Sequence, residues 1–173
     1  AFMLGDEVLV APRCGKGDAR KLALPAGLWT DLATNERHRG GGDIDIPHEA
    51  PPLTVLARNG SIVPLLSRER PAVVELHYFP RLGAEFFLSE DRRNDYSQFH
   101  AAPALDVLRL EIESVERRCY EWVVHHVTPA ISIESGGRPW TGGWRHDEQS
   151  GNLLIPAEAE AGKPLVLNVR LKE

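Results

Sequence analysis

Apolar and polar residues alternate with a period of two along much of this chain, and that alternation constrains its fold more than any other feature. Leu165, Leu167, Val169 and Leu171 are separated by Val166, Asn168 and Arg170, and Leu108, Leu110 and Ile112 by Arg109 and Glu111. Successive side chains of a strand point to opposite faces, so each run reads as a strand with one buried face. Lys21-Leu22-Ala23-Leu24 and Asp43-Ile44-Asp45-Ile46 are shorter versions. The continuous runs Val8-Leu9-Val10, Trp122-Val123-Val124 and Ile131-Ser132-Ile133 suit central or inter-sheet strands.

Breakers are dense, with 15 Gly and 13 Pro, and they fall between the runs at Pro25-Ala26-Gly27, Gly40-Gly41-Gly42, Pro51-Pro52, Asn59-Gly60 and Gly136-Gly137. Helical periodicity is nearly absent, and the stretch from Ala157 to Ala161 is too short to stand as a helix. Short strands at this spacing predict an all-β chain of antiparallel β-sandwiches. Asn59-Gly60, between Leu56-Ala57 and Ile62-Val63, predicts a two-residue hairpin turn. About a dozen candidate strands exceed one sandwich, so two consecutive sandwiches are expected. The seam is placed near residue 70, in the polar segment Ser67-Arg68-Glu69-Arg70-Pro71, giving domains 1–70 and 71–173.

Charge narrows the partners. The net charge is −5, and no basic run exceeds Arg92-Arg93 or Arg117-Arg118, so nothing forms a phosphate-tracking surface and no nucleic acid is expected. No apolar run nears the roughly 20 residues of a membrane-spanning helix, and no membrane partner is expected. The chain opens on Ala1-Phe2-Met3-Leu4, without initiator methionine or signal peptide, which reads as an excised piece. Cys14 and Cys119 are too few for a disulfide scaffold; they read as free thiols of a reducing, cytoplasmic compartment, with a bridge between them as the other reading.

Three blocks follow one another between Phe2 and Pro64. The first is Phe2-Met3-Leu4-Gly5-Asp6-Glu7-Val8-Leu9-Val10-Ala11-Pro12. The second comprises Arg20, Leu24-Pro25-Ala26-Gly27, Trp29-Thr30-Asp31, Thr34 and Gly40-Gly41. The third is Pro52-Leu53 followed by Ala57-Arg58-Asn59-Gly60-Ser61-Ile62-Val63-Pro64. In that order they resemble the C-terminal region of family 31 glycoside hydrolases, of α-glucosidase or α-xylosidase type. The second half is similar more loosely, through Tyr78-Phe79-Pro80, Phe86-Phe87-Leu88-Ser89-Glu90-Asp91 and Tyr96, although Arg92-Arg93-Asn94 departs from the family's usual Glu-Asp-Asp-Gly loop.

The resemblance implies a proximal and a distal β-sandwich that support a missing catalytic (β/α)8 barrel, with residues 1–5 a remnant of the last barrel strand. The parent enzyme would cleave α-glycosidic bonds with retention and need no cofactor, and carbohydrate would meet this chain only through that parent. Severed from the barrel, residues 1–4 are expected either to fray or to be buried by self-association. A reading from a different class is a free-standing carbohydrate-binding or protein-interaction module.

The same blocks have a plain physical reading. Leu24-Pro25-Ala26-Gly27-Leu28-Trp29 is strand, tight turn and strand, with Trp29 offered to the proximal core. Asp31 with Thr34 suits a turn closed by short polar side chains.

Chemistry is hard to place on these residues. Retaining glycoside hydrolysis takes two carboxyl groups about 5–5.5 Å apart, and neither of the family's aspartate motifs occurs. Asp6 belongs to the strand-exit block. Asp43 with Asp45, and Glu111 with Glu113, share strand faces that read as solvated. Glu90, Asp91, Asn94 and Asp95 read as an Asx-rich turn rather than a calcium loop. His125 and His126, adjacent on a strand, are expected on opposite faces, which defeats shared chelation. No metal site is expected and no residue is assigned a catalytic role. Trp140 and Trp144, around Thr141-Gly142-Gly143 with Arg138 and Arg145 nearby, are the candidates for stacking on a sugar; the plainer reading has them cover the end of a sandwich.

The chain alone should therefore not turn over aryl α-glucosides or maltose. Turnover that disappears when any one of its carboxylates is replaced would overturn this.

Overall fold

The computed structural model describes residues 1–13, 20–90 and 95–173. These form eighteen strands and no helix. Two compact units divide the chain, Ala1–Asn59 and Gly60–Glu173.

The first unit holds β1 (Phe2–Leu4), β2 (Val8–Pro12), β3 (Arg20–Leu24), β4 (Leu28–Asp31), β5 (Arg37–Arg39), β6 (Gly42–Ile46) and β7 (Leu53–Arg58). A five-stranded sheet runs β1-β2-β7-β4-β5, and β3 and β6 form a separate pair. Leu9, Ala11, Trp29 and Leu56 from the large sheet meet Leu22, Leu24 and Ile46 from the small one in a single core. The alternation is obeyed: Ile44 and Ile46 face that core while Asp43 and Asp45 are exposed.

Trp29 lies at the centre and is fully buried. Its indole N–H donates to the Pro25 carbonyl at 2.9 Å, and the Arg58 guanidinium sits 4.4 Å from its ring centre. Arg58 also donates to the carbonyls of Asp6 and Ala26, both at 2.9 Å. Gly40 closes the other side. A Cβ there would lie 1.9 Å from the Pro25 oxygen, which no repacking of side chains relieves. Asp31 makes the expected turn, its Oδ1 accepting from the amides of Ala33 and Thr34 at 2.7 and 3.1 Å.

The second unit holds β8 (Ile62–Leu66), β9 (Val73–Tyr78), β10 (Ala84–Ser89), β11 (Tyr96–Ala104), β12 (Val107–Glu113), β13 (Arg118–Val124), β14 (Ala130–Ser135), β15 (Arg138–Pro139), β16 (Arg145–Asp147), β17 (Asn152–Ala159) and β18 (Leu165–Leu171). Its two sheets run β10-β11-β12-β18-β14-β15 and β16-β17-β13-β9-β8. Their inner faces share one core, with Phe99, Leu110, Ile112, Leu167 and Val169 from the first and Leu76, Tyr78, Tyr120, Trp122 and Ile155 from the second.

Several expectations change. The seam lies between Asn59 and Gly60 rather than near residue 70, because the polar segment after Leu66 is a hairpin loop. In it Ser67 donates its amide to the Val73 carbonyl at 3.1 Å, and β8 pairs with β9 on either side. Asn59-Gly60 turns, with Gly60 at φ +96°, but its flanking strands β7 and β8 belong to different sheets. Both edges of β7 are already paired, with β2 and β4, so β8 has no edge there to join. Among the described residues the strands of the second unit pair antiparallel except where β9 runs parallel to β13, and an isolated parallel bridge joins Ser114 to Ala161. The helix-like alanine stretch falls largely in β17, whose Leu153, Ile155, Ala157 and Ala159 turn inward, so packing overrides helix propensity. Residues 2–4 pair with β2 as an edge strand, their side chains exposed.

Trp29→Ala should cost about 3–5 kcal/mol, the range for truncating a large buried aromatic. A denaturant titration checks this, and a loss below about 1 kcal/mol would show that the indole does not hold the first core together.

Candidate functional site

The alternation that points Tyr120, Trp122 and Val124 into the second core points Glu121 and Val123 to the other face of the same sheet. On the neighbouring β9, Glu75 and His77 share that outer face. Because β9 and β13 run parallel, Glu75 stands opposite Glu121 and His77 opposite Val123. His125 follows directly after β13, its amide bonded to the Tyr78 carbonyl at 2.9 Å.

These side chains form a hydrogen-bonded row. Glu75 Oε2 lies 3.1 Å from His77 Nε2, and His77 Nδ1 lies 2.9 Å from His125 Nε2. A carboxylate accepts from Nε2–H, so His77 Nδ1 is left as the acceptor for His125. The His125 ring stacks on Phe79 with centres 4.2 Å apart and is 4% exposed. Burial, with His77 and His126 beside it, pushes His125 down to about 3. Burial also lowers His77, against the pull of Glu75. Burial raises the Glu75 carboxyl, but bonds from Ser67 and His77 outweigh it and leave the group below its usual range.

An acid–imidazole row activates a nucleophile when a hydroxyl stands at the imidazole end. Here Ser67, the hydroxyl in the row, bonds the carboxylate end instead, so the arrangement is a buried polar network. Nearby, Arg70 reaches across to Glu121 at 2.5 Å, neutralising a carboxylate that is 5% exposed.

Among the described residues the other carboxylates are occupied or solvated. Glu111 pairs with Arg109 at 3.0 Å. Glu90 accepts from Ser97 at 2.6 Å and from Arg118 at 3.1 and 3.2 Å; residues 91–94 of that loop lie outside the described residues, as does Cys14. Asp6 is exposed, and burial beside it, with its charge, raises the Glu7 carboxyl. Among the described residues no group of three or more His, Cys, Asp or Glu is placed to hold a metal ion, and no helix is long and apolar enough to cross a membrane.

His125 and His126 do not oppose each other across a strand: β13 stops at Val124, His126 sits at φ +53°, and the rings are 6.2 Å apart. The two candidate tryptophans separate as well. Trp140 is half-buried against the second core and lines a cavity of about 380 Å³, whereas Trp144 is 38% exposed and outside that lining. Sequence reasoning missed Glu75, His77 and Arg70. The i, i+2 spacing of Glu75 and His77 was a visible signal, but their partners come from a strand far along the chain.

Residues 1–63 match the family model described as glycosyl hydrolase family 31 C-terminal domain. Among curated proteins no sequence matches the chain. Solved structures resemble nearly all of it. The cycloalternan-forming enzyme of Listeria monocytogenes, in complex with a pentasaccharide substrate, superposes with a TM-score of 0.82 at 17% identity, over 97% of this chain and 18% of its own. A GH31 dextranase of Flavobacterium johnsoniae, complexed with glucose, gives 0.82 at 18% identity, over 98% and 26%. A GH31 α-xylosidase of Xanthomonas citri gives 0.60 at 19% identity, over 99% and 19%. The chain therefore spans only about a fifth to a quarter of these proteins.

The histidines give a pH dependence of known sign. Both have folded pKa values below the unfolded value near 6.5, so their stability contribution is complete above that pH. As pH falls below it the unfolded chain takes up protons that the folded chain refuses, and stability drops toward pH 3. For His125 the loss should approach about 1.4 kcal/mol per pH unit. Urea midpoints at pH 7 and pH 5 measure it, and His125→Gln should flatten the difference; an unchanged midpoint in the wild-type chain would refute the burial of neutral imidazole.

Proposed function

We propose that this chain, whose residues 1–63 match the family 31 C-terminal domain model and whose fold resembles parts of solved family 31 enzymes, is the non-catalytic C-terminal region of such an enzyme and supports the catalytic (β/α)8 barrel of that parent. That parent hydrolyses α-glycosidic bonds with retention, through two carboxyl groups on the barrel and without a cofactor. Carbohydrate reaches the enzyme at the barrel. The exposed Cys119 thiol supports a reducing, cytoplasmic address.

The observation that carries this reading is the open edge of the first sheet. In the register Met3–Leu9–Leu56, Leu9 and Leu56 face the core. The rows Phe2–Val10–Val55 and Leu4–Val8–Ala57 therefore lie on the opposite face, which is apolar as well. At its terminal strand β1, Phe2 is 52% and Leu4 57% exposed. An unpaired edge beside apolar side chains invites another strand or a packing surface. In the parent that surface is the barrel; alone, the same edge favours pairing with a second copy, readable by light scattering over a concentration series.

In the intact parent enzyme, Phe2→Glu with Leu4→Glu should lower the thermal midpoint and α-glucoside turnover together, while Phe87→Glu, exposed in the other unit, should change neither. A parent reading frame without a barrel bearing the paired aspartates would defeat the proposal, as would wild-type stability in the double variant.

A further inference from the structure

Beside the loop between β15 and β16, the second unit holds the cavity of about 380 Å³ that Trp140 lines, within the size range of small-ligand pockets. Its walls come from separated segments: Arg70 before β9, Cys119 and Tyr120 on β13, Trp140 to Gly142 in the loop, and Pro156 to Glu158 on β17. Most of that wall is apolar, and its polar side chains are an arginine, a carboxylate, a thiol and the hydroxyls of Tyr120 and Thr141.

Charge decides which ligand suits it. Arg70 is paired with Glu121 at 2.5 Å, and Glu158 with Arg117 at 2.5 Å. Each charged group in the wall is thus neutralised from within the chain. An anion or a cation gains no free counter-charge, but the paired groups still present N–H donors and carboxylate oxygens to hydroxyls. Trp140 adds a ring for the C–H face of a sugar. Its Nε1–H is buried without an acceptor among the described residues and is covered by Gly142, so it offers a ligand no donor. Gly142 presses against the indole so closely that a Cβ would lie 2.5 Å from Cζ2, and Gly143 follows at φ +76°. Gly143 needs glycine for its left-handed φ, and Gly142 for its close approach to one edge of the ring.

We propose that this cavity binds a neutral pyranose saccharide, with Trp140 as its stacking surface and Arg70, Thr141 and Glu158 as its hydroxyl partners. The site lies within the second unit and does not depend on the barrel, so its test stands apart from that of the supporting role. The sequence pairing of Trp140 with Trp144 is replaced by Trp140 with residues from β13 and β17.

The test uses the full chain, labelled with ¹⁵N and carrying Cys14→Ser so that a maleimide reports Cys119 alone. Maltotriose and cellotriose are titrated separately. The expected result is saturable movement of the Trp140 indole and Gly142 amide signals with at least one trisaccharide, and slower alkylation of Cys119. Trp140→Ala should weaken binding by about tenfold or more, and Thr141→Val, at an exposed position, should weaken it without touching the core. Trp144→Ala should leave binding unchanged. If Trp140→Ala fails to fold, Thr141→Val and the Cys119 rate still decide. Signals that stay still with both sugars, or binding indifferent to Thr141→Val and lost in Trp144→Ala, would overturn the site.

Discussion

Strand β7 has both of its hydrogen-bonding edges occupied, by β2 and by β4, and the division of the chain follows from that. A strand in a sheet offers two rows of backbone groups and no more. What comes after Arg58 must find its partners elsewhere. Asn59 still belongs to the first unit, donating its amide to Leu28 at 2.8 Å and accepting from Thr30 at 3.0 Å. Gly60 already belongs to the second, its amide on the Phe79 carbonyl at 2.6 Å. The left-handed turn of one glycine carries the chain from one hydrogen-bond system to the other.

The residues that carry the family resemblance are explained by packing. Trp29 needs an acceptor for its buried N–H and finds the Pro25 carbonyl; Gly40 is required because any side chain would occupy that oxygen's place. Arg58 covers the ring and ties together the turns at Asp6 and Ala26. Arg20 holds the end of β2 through the carbonyls of Ala11 and Pro12. None of these contacts presents a reactive group to a substrate, so motifs that identify the region do so through its core and turns.

In the second unit the outer face of one sheet is a place for polar groups that are buried together. Glu75, His77, His125, Arg70 and Glu121 satisfy one another there. A buried charge is tolerated only when paired, and a buried imidazole is kept neutral by the cost of desolvating its charged form. The same pairing, extended to Glu158 and Arg117, removes net charge from the wall of the neighbouring cavity.

The sequence by itself determined the strand class, most inward faces and the turn chemistry at Pro25, Gly27 and Asp31, because side-chain alternation and glycine conformation are local properties. It determined the burial of Trp29 for the same reason. Only the tertiary structure decided where one unit ends. Whether Asn59-Gly60 closes a hairpin depends on which edges of β7 are already taken, and those edges are filled by strands that precede it by many residues. Likewise His77 and His125 are 48 residues apart and meet only because β9 and β13 run parallel. Trp140 and Trp144 are near in sequence yet do not share the cavity: one packs against the second core and the other, 38% exposed, lies outside the lining.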